Sequence, residues 1–247
     1  RIVNILENRY YNFKGLNLTF ETLDGLIKHN GPVNNLTKFN RILGKNFFKN
    51  KIIFLNNTSL EAQIAAISDD IAYNSHDLED GLKSNLFKLN DLSNIPVLNN
   101  IISKHKNKLK KYSIDLIVRQ IIRDIINEMV SDVIKMTTIN IRSNNIKSLK
   151  DVYKSKNQIV CFSNKMQKFD LKIKKFLKQK MYLHKSVITK TNYGRKVIKE
   201  LFSIIIKNPK KYINIKKYKN STIERIICDY IAGMTDRYAI NLYKKIK

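Results

Sequence analysis

The sequence predicts an all-α fold, and three observations lead there. Only 7 Gly and 3 Pro punctuate 247 residues, too few for the many tight turns of a sheet protein. Apolar residues recur at helical spacing through 113–138, among them Ile114, Ile117, Ile121, Ile125, Met129 and Val133. Hydroxyl residues stand where helices should begin: Thr19 or Thr22 ahead of one run, Ser59 ahead of another.

Taken in order, residues 1–11 read as the end of an amphipathic helix, with Ile2, Val3, Ile5 and Leu6 on its apolar side. With no initiating Met, the chain is expected to be truncated at its N-terminus. NFKGLN (12–17) reads as a loop. A helix then runs to about His29, with Glu21 and Asp24 suited to the positive end of its dipole. Gly31 and Pro32 stop it. Residues 33–58 are irregular, and KIIFL (51–55) is the best short strand candidate. Ser59 caps a helix to about Asp80, with Glu61 and Gln63 in its first turn. A further helix is expected at 82–92, and Pro96 opens another. After the long helix at 113–138, QIVCF (158–162) reads as a strand or a helix start. Residues 166–206 hold one or two helices, YINIKKYKNS (212–221) is a basic loop, and a last helix covers about 222–245.

Hydrophobic content of 43% and charged content of 27% are ordinary for a globular chain. The net charge of +27 is not, and only 9 of the 47 basic residues are Arg. Codon bias toward Lys, Asn and Ile accounts for such a composition. Attraction to polyanions, such as nucleotides, nucleic acid or an anionic membrane surface, is the functional reading, and both can hold. Cys161 and Cys228 lie in apolar settings with neither metal-site nor disulfide spacing, so a reduced cytoplasmic compartment is expected. No run is long enough to span a membrane, and RIVNILENRY does not read as a signal peptide. A shift from acidic and Asn-rich to Lys-rich composition places a domain boundary near 95, giving domains 1–95 and 96–247.

Against this charge, five carboxylates fall between Asp69 and Asp80. Projected on a helix, Asp69, Tyr73, His76, Asp77 and Asp80 share an arc of about 100°, with Asp70 on its margin. A solvated polar face is one explanation. The other is a ligand site, because mutually repelling carboxylates need a cation or hydrogen-bond donors to hold them. A hard divalent metal with a nucleoside triphosphate fits that chemistry.

SLEAQIAAISDDIAYNSHDLEDGL (59–82), LNLTFETLDGLIKHNGP (16–32) and IICDYIAGMTDRYA (226–239) resemble, in order, three segments of the deoxyguanosinetriphosphate triphosphohydrolase family of HD-domain phosphohydrolases. The matches frame the chain, and 100–220 adds little. The resemblance implies an HD-type helical bundle, N-terminally truncated, followed by a helical phosphohydrolase-associated extension. It implies that Asp69 is the distal metal-ligand Asp. Tyr73 would then face the deoxyribose and α-phosphate, and Asp77 would accept a hydrogen bond from the sugar 3′-OH. The spelling His76-Asp77 is not expected to be the family's metal-binding His-Asp pair. That pair, the first His ligand and the acid-base residues are expected upstream of residue 1. Catalytic residues are therefore expected outside this chain.

The other histidines fall elsewhere. His105 and His184 read as surface residues in Lys-rich stretches, and Lys28 or His29 could neighbour a phosphate. In the C-terminal segment, Ile223, Ile227, Tyr230, Ile231, Met234 and Tyr238 form a core stripe. Gly233 should permit a close helix contact. Asp236 and Arg237 either pair locally or reach the nucleotide site.

Three functions remain. The resemblance implies metal-dependent (Mg, Mn or Fe) hydrolysis of a deoxynucleoside triphosphate to deoxynucleoside and triphosphate, in a homo-oligomer. The charge and stretches such as KHKNKLKKY allow a nucleic-acid-binding module, with single-stranded nucleic acid as a partner. A non-catalytic helical remnant used in oligomer assembly is the third.

Overall fold

A computed structural model describes residues 1–33, 57–215 and 221–247. The strand candidate KIIFL and most of the basic loop's second half lie outside the described residues. Within them the all-α expectation is borne out: there is no strand, and one isolated bridge joins Asn8 to Gly15. The helices are α1 (Phe20–Ile27), α2 (Leu60–Lys83), α3 (Pro96–His105), α4 (Ile114–Ser143), α5 (Leu149–Lys154), α6 (Asn164–Leu177), α7 (Lys185–Ile205), α8 (Ile223–Ala232) and α9 (Asp236–Ile246).

Local chemistry sets the helix starts. Thr19 accepts from the Thr22 amide, Ser59 from Ala62, Ser113 from Leu116 and Ser163 from Met166, each satisfying an amide with no partner inside its helix. Pro96 occupies the first turn of α3, where its missing N–H costs nothing.

The described chain forms two compact units, Arg1–Met181 and Tyr182–Lys247. In the first unit α2 packs along α4, and α3, α6 and α1 pack on this pair. Leu78, Leu98, Ile121, Ile125, Met129, Ile173 and Leu177 are fully buried between them. The boundary proposed near 95 falls inside this unit. At two contacts of α2 a close approach needs glycine. A side chain on Gly25 would come within 2.7 Å of Ala62 Cβ where α1 crosses α2, and one on Gly81 would overlap the Phe87 ring. Phe87 in turn meets Phe176 of α6 edge to face, with ring centroids 4.9 Å apart. In the second unit, α7, α8 and α9 enclose Val197, Leu201, Ile205, Ile213, Ile226, Ile227 and Tyr243.

Several expectations are corrected. The first residues form a single π-helical turn, Ile2–Leu6, not the end of an α-helix. The stretch 82–92 holds the end of α2 and a 3-10 turn at Leu89–Leu92. The last helix is two, because Gly233 caps α8 and Thr235 caps α9 by accepting from Tyr238 N. A side chain on Gly233 would meet only ordinary contacts at 3.6 Å, so this glycine ends a helix and permits no close packing. Residues 158–162 form neither strand nor helix. Gln63 explains why: its Oε1 accepts from the amides of Ile159 (2.9 Å) and Val160 (3.1 Å), while Asn140 donates to Ile159 O (2.8 Å). Side chains of α2 and α4 thus satisfy backbone groups that would otherwise demand a ladder.

Candidate functional site

One side of α2 is core. Ile71, Asn74, Ser75, Leu78 and Gly81 are buried. The opposite side carries the residues that the sequence singles out. Asp69 has a side chain 70% exposed, Tyr73 is 54% exposed, and Asp77 is half-buried. The three stand on successive turns, about 6 Å apart along the axis. They do share a face, but Asp69 is not the deepest point of a pocket. Its neighbours along α2 bury themselves against α4 and α6 on the far side, which leaves this face open.

A cleft does adjoin it. Glu21, Gly25 and Leu26 of α1, Ala62 and Ala65 of α2, Leu149 and Tyr153 of α5, and His29 line a space of about 490 Å³. His29 joins this cleft to the acidic face, since its Nε2 lies 3.5 Å from Asp69 Oδ2. His29 is held there by its predecessor. Lys28 is buried, and its Nζ lies 2.8 Å from Asp24 Oδ1, 3.1 Å from Asp24 Oδ2 and 3.4 Å from Asn57 O. Burial pushes the Asp24 carboxyl up and the Lys28 ammonium down from their ordinary values, against the pull of their mutual hydrogen bond. Lys28 is therefore an internal anchor, and the expectation that it could neighbour a phosphate is corrected.

Asp70 points to the other flank. Lys174 of α6 bridges Asp70 Oδ2 (3.1 Å) and Asp170 Oδ2 (3.0 Å), and Asn74 Nδ2 donates to Asp170 Oδ1 (2.6 Å). Burial raises the Asp170 carboxyl despite these donors. Burial opposes the charge on Lys174, yet Asp170 and Asp70 together raise its value. This network locks α2 to α6 one residue from Asp69. Reading motif by motif missed it, although Asp170 is the only carboxylate between Asp151 and Glu200, a signal in so basic a stretch.

The histidines divide clearly. His76 Nδ1 lies 3.9 Å from Glu79 Oε2, one turn along its own helix. His184 caps α7 from the surface. His105 is not a surface residue: it is buried, with Nε2 2.8 Å from Asp124 Oδ2, which also accepts from Gln120 through Oδ1. The periodic apolar face of α3 draws it inward.

Asp69 and His29 are donors of the kind a divalent cation uses, but among the described residues no three His, Cys, Asp or Glu side chains are grouped to hold one. These two residues do not by themselves make a metal site. No described helix is long and apolar enough to cross a membrane.

Comparison with known proteins supplies the class. Residues 160–245 match the phosphohydrolase-associated domain. Along its whole length it is 53% identical to a deoxyguanosinetriphosphate triphosphohydrolase-like protein of Pelagibacter ubique (strain HTCC1062), covering 66% of that protein. Proteins of the same name from Caulobacter vibrioides (strain ATCC 19089 / CIP 103742 / CB 15) and Rickettsia typhi (strain ATCC VR-144 / Wilmington) are 36% and 34% identical, with 64% and 65% of their lengths covered. The chain belongs to the deoxyguanosinetriphosphate triphosphohydrolase-like family, and it spans just under two thirds of the length of these relatives.

Proposed function

We propose that the complete protein hydrolyses a deoxynucleoside triphosphate to deoxynucleoside and inorganic triphosphate, with the open face of α2 as the substrate's sugar and α-phosphate platform. Water adds to the α-phosphorus, the bond from phosphorus to O5′ breaks, and a proton passes to O5′. One observation carries the reading. Asp69, Tyr73 and Asp77 occupy consecutive turns of one helix, on the side away from its buried face. Neighbouring Asp70 turns to the other flank, where it pairs with Lys174 of α6.

The residues would divide the work by position. Asp69 is the carboxylate that the family resemblance gives to the divalent metal, with its other ligands outside these 247 residues. Tyr73 packs its ring against the deoxyribose, where a 2′-hydroxyl would find no room. Asp77 accepts the 3′-OH. Steps of about 6 Å suit the succession from α-phosphate to sugar to 3′-hydroxyl. A homo-oligomer in the cytoplasm, using Mg, Mn or Fe, completes the proposal.

The test compares dGTP with its 2′,3′-dideoxy analogue in the full-length protein. Asp77→Ala should lower kcat/KM for dGTP by about 10- to 150-fold, as expected for a lost charged hydrogen bond of roughly 1.5–3 kcal/mol. The same variant should act on the dideoxy substrate almost as well as the parent does. An equal loss on both substrates removes Asp77 from the sugar site.

A further inference from the structure

The phosphohydrolase-associated match begins at residue 160, whereas the first compact unit runs on to Met181. The first helix of the matched region, α6, therefore belongs to the unit that carries Asp69, and it packs on α2 itself. Part of α6 is ordinary core, with Ile173 and Leu177 fully buried and Phe176 set edge to face on Phe87. The polar part of the contact has a definite shape. Two residues one turn apart on α2, Asp70 and Asn74, meet two residues one turn apart on α6, Asp170 and Lys174. Lys174 Nζ lies 3.1 Å from Asp70 Oδ2 and 3.0 Å from Asp170 Oδ2, and Asn74 Nδ2 donates to Asp170 Oδ1 at 2.6 Å. The links form a closed clasp that holds α2 at two heights.

Stability alone does not call for such a clasp. Asn74 is fully buried, yet its Oδ1 has no hydrogen-bond partner among the described residues, and the Asp170 side chain is only 8% exposed. Apolar side chains of similar size would join the helices at least as strongly, because desolvating charged and polar groups offsets most of what their pairing gains. What apolar contact lacks is direction. Hydrogen bonds weaken steeply when bent or stretched, so ties one turn apart fix both the rotation of α2 about its axis and its height along α6. Rotation bears on the site, since Asp69 stands one residue before Asp70. A carboxylate oxygen about 6 Å from the axis moves about 1 Å when the helix turns by about 10°. A misplacement of that size costs about 100-fold in rate.

We propose that Lys174 and Asp170 are positioning residues, and that the first helix of the phosphohydrolase-associated region is the template that fixes the rotation and height of α2. The inference rests on α2 being the substrate platform. Asp69, Tyr73 and Asp77 ride on one helix and move together, so the clasp does not choose among substrates. It presents the bound nucleotide to the groups off α2 that direct water at phosphorus.

The experiment follows turnover of dGTP and its 2′,3′-dideoxy analogue by the full-length protein. The variant Asn74→Leu/Asp170→Leu/Lys174→Met replaces the clasp by apolar contact and strands no buried charge, since the Asp70 side chain is 53% exposed. Its urea midpoint should equal or exceed the parent's. Its kcat should nevertheless fall by about 10- to 100-fold on both nucleotides, with KM within about threefold and the preference for a 3′-hydroxyl kept. If the triple variant does not fold, Asp70→Ala decides. It removes only the exposed end of the clasp, and should lower kcat by about 3- to 10-fold at an unchanged midpoint. Asp77→Ala, run alongside, separates this inference from the reading beneath it. Loss confined to dGTP in Asp77→Ala, with parental kcat in the clasp variants, overturns the clasp and leaves the platform standing. Equal loss on both nucleotides in Asp77→Ala removes the platform and the clasp with it. A kcat that falls only in step with the urea midpoint makes the network ordinary structure, and also overturns the proposal.

Discussion

Replacing Lys28 with Met probes the frame that sets His29 beside Asp69. The methionine side chain nearly fills the lysine's volume, so little cavity forms. What is lost is the charge that compensates Asp24, and both side chains are only 2% exposed. A buried carboxylate stripped of its partner costs about 3–5 kcal/mol, because it can neither reach water nor find another cation. Against a total stability of about 5–15 kcal/mol this is a third or more. With a urea slope near 2 kcal/mol/M the midpoint should fall by roughly 2 M. The double variant Asp24→Leu/Lys28→Met removes both charges and should recover most of that loss. The pH dependence has a definite sign. Burial raises Asp24 above its ordinary value of 3.8, and a raised carboxyl contributes stability that is full below the unfolded value and lost as pH rises through the folded one. The Lys28→Met penalty should therefore be greatest near pH 7 and shrink toward pH 4. Urea unfolding of the full-length protein, followed by circular dichroism at both pH values, reads all three effects. A single-variant loss below 1 kcal/mol, or a double variant no better than the single, would refute the idea that an obligate buried pair holds this corner.

Gln63→Leu should leave the amides of Ile159 and Val160 without their acceptor, at about 1–3 kcal/mol for each unsatisfied donor; hydrogen exchange should accelerate at those two amides before it does in α4. Burial pushes the Asp124 carboxyl up, but hydrogen bonds from His105 and Gln120 outweigh it and hold the group below 3.8. Such a depressed carboxyl contributes stability present above that value and lost as pH falls through the folded one, so Asp124→Asn should flatten the acid limb of a stability–pH profile below about pH 4.

Much of this arrangement was legible from residue pattern alone. The apolar period located α4 and the caps located α1 and α2, because those signals are local and one helix turn long. The split at Gly233 was missed because the stripe from Ile223 to Tyr238 continues across it, and only the pairing of Gly233 with the Thr235 cap shows the break. The shared face of Asp69, Tyr73 and Asp77 followed from geometry at 100° per residue. Its openness did not follow, since it depends on where α4 and α6 pack. The buried polar links Lys28–Asp24, Gln63–Ile159 and Asn74–Asp170 were invisible for a related reason. Two of them join residues 96 positions apart, and a Lys or Gln reads as surface until its partner is known. His105 misled in the same way: its sequence neighbours are lysines, while its neighbour in space is Asp124.

Phosphorus-31 NMR of the products formed from dGTP by the full-length protein, with Asp69→Asn beside the parent, reads which bond breaks and whether Asp69 is needed to break it. The parent should give the two resonances of inorganic triphosphate together with free deoxyguanosine, and the variant neither product, with its circular dichroism unchanged because Asp69 is exposed. Orthophosphate or pyrophosphate as the first product, or triphosphate release undiminished in Asp69→Asn, would contradict it.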